Sequence, residues 1–546
     1  MRLYFSLRVR DTRLELTKTD LLEKVKSYIQ NISLLILGVF LFSCSTTKSV
    51  QNNHEDSIIS IIPKPKVEIR KKGTYKLPEV NRISYSKDSR ETALWLQRFL
   101  INANLQAKIE QDSATANFKL VADISLKNQI GEEGYSLDIS NKGIIIKAAG
   151  ETGLFYGVQS LRQLLPASME DSSLISKKIS IPNIHLEDAP KYSWRGSMID
   201  IARSYFGIDY LKNHLDRMAL YKMNRLHLHL TDDQGWRLEL KSKPLLTAIG
   251  GKGAVKNGRA GYLSTEDYKE LQSYAKKNHI VIIPEIDLPG HSYAALVSYP
   301  ELNCENLSNL TPKMAAPPEL FEGYKVGWSK LCLTDKATYT FVAEVFKEVS
   351  ELTDGPWIHI GGDEIKDELY KTFVTKADSI VRSYGKIPIG WEEVAKAKVS
   401  KELISQRWNG KTIPLKNSKV IESICTSFYL DHANITSQEH TNNWCKKTGV
   451  SLEDIYNFSD NENEIIGVEA PVWTELVLTD AMLDNRLWPR LTAVAEIGWS
   501  PSHLDFTNFK LRLKEHKFRM RALKIDYYPS PELNWNLKTN PYSSNK

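Results

Sequence analysis

Asp363 and Glu364 are adjacent carboxylates that follow two glycines and the apolar run 357–360. On an extended strand their side chains point to opposite faces, so we expect them to border one pocket in different roles. Two carboxylates this close disfavour joint ionisation, so one is expected to keep its proton near neutral pH. The alternative is structural, with glycines that end a strand and acids that begin a helix. A neutral carboxylic acid beside a carboxylate is the pair that hydrolysis of a glycosidic bond requires.

The elements around this pair alternate between apolar strands and amphipathic helices. This alternation predicts a (β/α)₈ barrel over residues 189–526. An open doubly wound sheet is the alternative, but no glycine-rich phosphate loop follows the first strand. The barrel strands are predicted at 195–201, 225–230, 279–285, 357–360, 388–390, 404–408, 419–423 and 465–468. Helices are predicted at 208–222, 265–277, 338–352, 365–384 and 506–523.

Residues 61–188 have a different rhythm of short strands and helices, which predicts a small α+β domain before the barrel. Strands are expected at 82–85, 118–122, 135–139 and 143–148, and helices at 91–104 and 152–165. Residues 527–546 form a C-terminal tail in this interpretation.

Polar and aromatic residues crowd the predicted carboxyl ends of the barrel strands, where barrel enzymes place their active sites. Histidines, acids and tryptophans occur within 227–236, 284–291, 363–364, 391–393, 406–409, 428–431 and 469–475. In a closed barrel all these segments meet at one rim. The sequence therefore predicts an active site there.

The composition excludes some functions. The formal net charge is +6, from 72 Lys and Arg against 66 Asp and Glu. These charges are scattered, and no basic cluster with interleaved aromatic residues stands out, so no nucleic-acid partner is expected. The 12 tryptophans suit stacking against sugar rings, although core packing is the alternative.

The N-terminus predicts export. Lys24 and Lys26 precede the apolar stretch 32–42, which is shorter than the roughly 20 residues that span a bilayer but suits a signal peptide. The segment 41–44 ends in Cys44 and resembles a bacterial lipoprotein processing site. We expect a signal peptide over 1–44, lipidation of Cys44 and a polar tether over 45–60. A plain secretory signal is the alternative. The predicted location is the periplasm or the outer membrane of a bacterium.

Four further cysteines flank two loops in the second half of the chain. Cys304 could pair with Cys332, and Cys425 with Cys445, in an oxidising periplasm. Their spacing does not resemble a zinc site.

Taken together, these motifs resemble glycoside hydrolase family 20, the β-N-acetylhexosaminidases. The resemblance covers roughly residues 60–525. The similar segments are 61–65, 194–203, 227–236, 284–291, 359–364, 390–393 and 472–475.

The resemblance implies hydrolysis without an enzyme nucleophile. The substrate's own 2-acetamido oxygen attacks the anomeric carbon and forms an oxazolinium intermediate. Glu364 is the implied general acid and base, and Asp363 holds the acetamido N–H. Tyr429 donates to the acetamido oxygen, while Asp232 and His291 form a dyad that supports Glu364.

Other residues are implied to bind the sugar. Arg195 would grip the 3- and 4-hydroxyls, and Asp431 and Glu475 the 4- and 6-hydroxyls. Three tryptophans would wall the acetamido pocket: Trp391, Trp408 and Trp473. The resemblance implies exo action on terminal N-acetylhexosamine of glycans, with no cofactor and no metal.

Three alternatives remain open at this point. His227, His229, His291 and Asp232 could bind zinc in a metal-dependent barrel hydrolase. The chain could also be a glycan-binding surface lipoprotein on a decayed hydrolase scaffold. Finally, segment 361–365 is similar to a diguanylate-cyclase signature, but no phosphate-binding glycine loop accompanies it.

Overall fold

A computed structural model describes residues 58–171, 173, 178–304, 319–435, 438, 441–459, 464–501 and 504–535. The predicted signal peptide, Cys44 and residues 45–57 of the predicted tether lie outside the described residues. Among the residues that are described, no helix has the length and apolar character required to span a bilayer.

The N-terminal part is a seven-stranded mixed sheet. Its strands are β1 (Val67–Lys76), β2 (Val80–Tyr85), β3 (Gln106–Gln111), β4 (Phe118–Ala122), β5 (Tyr135–Ser140), β6 (Gly143–Ala148) and β7 (Ser180–Asp188). Their order in the sheet is β1-β7-β5-β6-β4-β2-β3. The helices are α1 (Arg90–Asn102), the single turn α2 (Lys127–Ile130) and α3 (Glu151–Leu164). The prediction of an α+β domain is confirmed. It missed three strands: β7, and β1 and β3, whose sequences contain few apolar residues.

The rest of the described chain contains a closed barrel of eight parallel strands, as predicted. The barrel strands are β8 (Trp194–Asp200), β9 (Arg225–His229), β12 (Val281–Glu285), β13 (Trp357–His359), β14 (Ile387–Trp391), β15 (Ile404–Arg407), β16 (Val420–Glu422) and β17 (Ile465–Val472). A small hairpin, β10 (Thr231–Asp232) and β11 (Gly235–Trp236), follows β9.

Helices lie between most strands. They are α4 (Ile208–Leu220), α5 (Leu245–Ala248), α6 (Thr265–Lys277), α7 (Tyr293–Ser298), α8 (Lys336–Leu352), α9 (Tyr370–Ser383), α10 (Cys425–Phe428), α11 (Leu452–Tyr456), α12 (Asp480–Leu487), α13 (Arg490–Trp499) and α14 (Phe506–Ala522). Residues 408–419, all of them described, join β15 to β16 without an α-helix.

Apolar side chains fill the amino-terminal end of the barrel. Trp194 packs there with isoleucines from four other strands, at positions 283, 389, 404 and 421, and all are buried. Branched side chains on parallel strands form such layers because both faces of the sheet are covered. This plug leaves the carboxyl end of the barrel free for polar side chains.

A buried arginine joins the N-terminal domain to the barrel. The guanidinium of Arg195, on β8, donates to both carboxylate oxygens of Glu133, at 3.0 and 2.9 Å. It also donates to the backbone carbonyls of Tyr192 and Lys222, at 2.6 and 2.8 Å. Burial opposes ionisation of Glu133, but Arg195 outweighs it and holds the pKa of Glu133 below its usual value. Arg195 is therefore a structural link between the two parts.

The last helix, α14, packs against both parts of the described chain. Arg512 forms a double hydrogen bond with Glu496 of α13 and donates to the carbonyl of Ile61 at 2.8 Å. Arg519 pairs with Glu170 in the N-terminal domain. The helix predicted over 506–523 is confirmed, and its charged side chains explain how a helix of low apolar content is held.

Both expected cysteine pairs are bonded. Cys304 is joined to Cys332 and Cys425 to Cys445. Each bridge closes a loop at the carboxyl end of the barrel, the end at which the polar residues gather.

Candidate active site

The catalytic pair predicted from sequence lies in a loop rather than on a strand. Strand β13 ends at His359, and Gly361 and Glu364 have φ values of +69° and +59°. A Cβ on Gly361 would lie 1.8 Å from Asp287 Oδ1, so only glycine fits there. Helix α9 begins at residue 370, six residues after Glu364. The opposite-faces argument and the helix-start alternative are therefore both wrong.

A left-handed φ is rare and costly for a glutamate. It turns the Glu364 side chain into the same cavity as that of Asp363. The loop thus brings two consecutive carboxylates to one site, which a regular strand cannot do.

Asp363 is surrounded by other acids. Its carboxylate, that of Asp287 and the ring of His291 offer atoms that lie within 4.8 Å of one another. Burial and the Asp287 carboxylate raise the pKa of Asp363 well above its usual value. Burial likewise raises the pKa of Asp287 to about 6. The raised pKa agrees in direction with the prediction that one acid of the site holds its proton more readily, while His291, whose Nε2 lies 3.8 Å from Asp363 Oδ2, acts in the other direction and favours the carboxylate.

His291 and Asp232 form the predicted dyad. His291 Nδ1 lies 3.3 Å from Asp232 Oδ1 in a hydrogen bond, and His291 Nε2 lies 3.6 Å from Glu364 Oε2. Burial disfavours the charged imidazolium, but Asp232 and Asp363 outweigh it and raise the pKa of His291 well above its usual value. His291 therefore places positive charge beside the carboxyl groups of Asp363 and Glu364, at 3.8 and 3.6 Å.

A layer of buried ion pairs lies within the barrel, on strands β9, β12 and β17. Glu469 accepts a hydrogen bond from His227 Nδ1 at 2.7 Å. Glu285 accepts from His229 Nδ1 at 2.6 Å and from Trp391 Nε1 at 2.7 Å. All five side chains are buried, and hydrogen-bonded charges of this kind fix the positions of the residues above them.

These buried ion pairs also bear on the alternative that the histidines bind a zinc ion. Burial opposes protonation, yet the neighbouring carboxylates raise the pKa of His227 to about 9 and that of His229 well above its usual value. A protonated ring nitrogen has no lone pair for a metal ion. His291 is protonated for the same reason. The electrostatics therefore favour the hydrogen-bonding role of these histidines over metal binding.

The site opens into a cavity of about 570 Å³ at the predicted rim. We call it the first cavity. Eight of the residues predicted from sequence line it: His291, Asp363, Glu364, Trp408, Tyr429, Asp431, Trp473 and Glu475. Asp232 lies directly behind His291. Trp391 differs from the expectation, because it is fully buried and its ring packs against Trp473, with centroids 5.8 Å apart. It supports the cavity wall from behind.

Arg195 is the predicted residue that the structure contradicts. It lies near the amino-terminal end of β8 and is fully buried against the N-terminal domain. Arg203, which follows the carboxyl end of the same strand, lines the first cavity instead. Both arginines belong to the quoted segment 194–203. The rule that barrel sites gather at the carboxyl end of strands could have selected Arg203.

Arg203 is fixed by acids on three sides. Its guanidinium lies 2.7 Å from Asp232 Oδ2, 3.3 Å from Asp200 Oδ2 and 3.9 Å from Glu475 Oε1. It also lies over the ring of Trp473, 5.0 Å from the centroid. Burial raises the pKa of Glu475 to about 7 in spite of this guanidinium. Because these acids fix its position, the guanidinium of Arg203 can offer two donors to a ligand without losing its orientation.

Aromatic rings form the opposite wall. Trp408 stacks on Tyr429 with centroids 6.4 Å apart, and Trp444 meets both rings edge-on. Trp444 is 48% exposed and lines the cavity, and the sequence interpretation missed it. It is held by the neighbouring Cys425–Cys445 bridge. Such a wall suits the apolar face of a sugar.

Glu392 is a second residue that the sequence interpretation did not assign. Its carboxylate accepts hydrogen bonds from five successive backbone amides, those of residues 408–412, at 2.8–3.2 Å. The side chain is fully buried. It holds the loop that carries Trp408, whose Nε1 in turn donates to Glu393 at 3.1 Å.

Comparison with known proteins finds relatives with similar sequences and a similar fold. The β-hexosaminidase of Porphyromonas gingivalis is 29% identical over 535 residues, 90% of this chain and 67% of that protein. The β-N-acetylhexosaminidase of Cellulomonas fimi is 33% identical, over 74% of this chain and 82% of that protein. The solved structure of Streptomyces plicatus N-acetyl-β-hexosaminidase has a TM-score of 0.80 and 34% identity, covering 87% of this chain and 98% of that chain.

Two family models match consecutive parts of the sequence. Residues 59–189 match glycosyl hydrolase family 20, domain 2. Residues 192–372 and 367–502 match the catalytic domain of the same family. The chain therefore belongs to glycosyl hydrolase family 20.

Proposed function

We propose that this protein removes terminal, non-reducing β-linked N-acetylhexosamine from glycans by substrate-assisted, retaining hydrolysis. One observation carries the proposal: Asp363, Glu364 and Tyr429 line a single cavity, which has an aromatic wall and a buried arginine. Relatives named β-N-acetylhexosaminidase and N-acetyl-β-hexosaminidase support the substrate class. A cavity of about 570 Å³ has room for a sugar ring and its acetamido group.

In the first step, Glu364 donates its proton to the glycosidic oxygen while the bond from that oxygen to the anomeric carbon breaks. The acetamido oxygen of the same sugar forms a new bond to that carbon from the opposite face. The product is a bicyclic oxazolinium ion, and Glu364 is left as a carboxylate. His291, protonated and 3.6 Å away, stabilises that negative charge.

In the second step, Glu364 takes a proton from water and the oxygen attacks the anomeric carbon. The bond to the acetamido oxygen breaks and the acetamide is restored. Two displacements at one carbon give net retention. The same residue acts first as acid and then as base, which requires a carboxyl group close to both the leaving oxygen and the water.

Asp363 and Tyr429 orient the acetamido group. As a carboxylate, Asp363 accepts the amide N–H and balances the positive charge that develops on nitrogen. The Tyr429 hydroxyl donates to the amide oxygen and aims it at the anomeric carbon. Burial raises the pKa of Tyr429 well above its usual value, so its hydroxyl keeps the proton it must donate.

The remaining polar residues bind the sugar hydroxyls. Arg203, rather than Arg195, offers a fork of donors to two neighbouring oxygens. Asp431 and Glu475 line the same cavity and accept hydrogen bonds from sugar hydroxyls. Oδ1 of Asp431 is buried without a protein partner among the described residues. Trp473 gives the sugar face an apolar surface.

We also infer that the protein is exported and anchored by a lipid at Cys44. The apolar stretch 32–42 and the processing-site sequence before Cys44 support this. The two disulfides suit an oxidising compartment.

Replacement of the general acid tests the catalytic assignment. Glu364→Gln cannot donate or accept the proton, so kcat on an aryl N-acetyl-glucosaminide should fall by about 10²–10⁴-fold. Glu368→Gln changes an exposed acid of the same loop and should have wild-type kcat. Equal rates for wild type and Glu364→Gln would contradict the assignment of Glu364 as the general acid, and no hydrolysis by either would favour the glycan-binding alternative.

The same substitution at two arginines tests the corrected assignment. Arg203→Lys loses the donor fork, and kcat/KM should fall by about 30–150-fold, the equivalent of about 2–3 kcal/mol. Arg195→Lys should keep kcat/KM but lower the melting temperature, because it weakens the link to Glu133. A large loss of kcat/KM in Arg195→Lys with unchanged stability would contradict the assignment.

The pH dependence tests the role of Asp363. Ionised Asp363 accepts the amide N–H, so kcat/KM should rise as pH increases through its raised pKa. Asp287→Asn removes the like charge that helps to raise this pKa. In the variant, the rise of kcat/KM on the acid side of the pH profile should therefore move to lower pH. Asparagine at position 287 keeps the Oδ1 atom that accepts the hydrogen bond from the Gly362 amide. An acid limb that stays in place or moves to higher pH would contradict this role.

Cys44→Ser tests the anchor. In a bacterial host the wild-type chain should fractionate with membranes and incorporate labelled palmitate, and the variant should do neither. Membrane association that survives the substitution would exclude lipidation at Cys44 as the anchor.

A further inference from the structure

A second cavity, of about 680 Å³, adjoins the first. The two cavities share the side chains of Val326, Glu364 and Trp408. They are therefore two halves of one groove that meet at the proposed general acid.

The proposed mechanism orients this groove. The terminal sugar occupies the first cavity, where Asp363 and Tyr429 lie. Glu364 protonates the oxygen that joins this sugar to the leaving group, so the leaving group extends past Glu364. The second cavity is therefore the place for the leaving saccharide, an inference that rests on the proposed function.

The two cavities differ in charge. The first is lined by four carboxylates against one arginine and one histidine. The second is lined by four lysines, Lys330, Lys366, Lys396 and Lys411, against the carboxylates of Glu364 and Glu393. The second cavity thus has an excess of cationic side chains that the first cavity lacks.

Three of these lysines are available to a ligand. Lys330 pairs with Asp367. Lys366, Lys396 and Lys411 are exposed, and no ion pair of theirs is formed within the part of the chain that the structure describes. Glu393 opposes them only in part, because burial raises its pKa, while the hydrogen bond from Trp408 and the charge of Lys396 act in the other direction.

The second cavity also has groups that suit a sugar ring. Trp328 lines it and packs on Tyr293 and Phe321, with centroids 5.0 Å apart in each case. Asn409 and Thr412 line the side near Lys411. Aromatic surface with amide and hydroxyl groups is the usual lining of a saccharide subsite.

We propose that the leaving-group side of this groove binds an acidic saccharide, a sugar that carries a carboxylate or a sulfate. The ammonium groups of Lys366, Lys396 and Lys411 attract this anion, and the terminal N-acetylhexosamine itself remains neutral. The enzyme thus prefers N-acetylhexosamine that is attached to an anionic residue of a polysaccharide or glycoconjugate.

Paired substrates test this preference. N-acetylglucosamine β-linked to glucuronate is compared with its glucose counterpart, and N-acetylglucosamine β-linked to 6-sulfogalactose with its galactose counterpart. At low salt, wild-type kcat/KM should be about tenfold higher for the acidic member of at least one pair. The pair that responds identifies the anion as carboxylate or sulfate. The preference should shrink in about 0.5 M salt, because the charges are exposed.

Removal of the three lysine charges tests whether the preference for acidic substrates arises in the second cavity. The triple variant Lys366→Gln, Lys396→Gln, Lys411→Gln should lose the preference and keep wild-type kcat/KM on a neutral aryl N-acetyl-glucosaminide. The matched control Lys269→Gln, Lys277→Gln, Lys401→Gln changes three exposed lysines that line neither cavity. It should keep the preference.

Two results would overturn the proposal: equal kcat/KM within both pairs for wild type, or an equal loss of preference in the triple variant and its control. Neither result touches hydrolysis of the neutral aryl substrate. Only failure of wild type on that substrate would overturn the proposed function itself.

Discussion

Three cationic side chains converge on the buried carboxylate of Asp232. Arg203 and His229 approach Oδ2 at 2.7 and 3.0 Å, and His291 approaches Oδ1 at 3.3 Å. Although burial disfavours a charge, these partners hold the pKa of Asp232 well below its usual value. Asp232 thereby fixes Arg203, His229 and His291 relative to one another. A buried anion with one partner removed is strongly destabilising, so these positions depend on one another.

The barrel and its rim could be predicted because both depend on regular patterns. Eight apolar strands separated by helices define a closed parallel barrel, and its topology alone brings the ends of distant strands together. The predicted strand positions differ from those observed by only a few residues. Eight of the eleven predicted site residues line one cavity for this reason.

The remaining residues depend on local geometry that has no periodic signal. Glu364 enters the cavity through a left-handed φ, and Glu392 organises a loop through five backbone amides that sequence cannot place. Arg195 and Arg203 lie in the same motif, and only the direction of β8 decides which of them lies at the domain junction and which lines the first cavity. Sequence patterns thus predicted which elements form the site but not which side chains face it.

The central claim is that the substrate's acetamido oxygen is the nucleophile, held by Asp363 and Tyr429. The most direct measurement is kcat/KM for aryl glucosaminides whose N-acetyl group carries zero, one, two or three fluorines. Each fluorine withdraws electron density from the carbonyl oxygen and weakens it as a nucleophile. The account predicts a steep, progressive fall in kcat/KM along the series. Rates independent of fluorine number would contradict it, because they would show that the acetamido oxygen takes no part in bond formation.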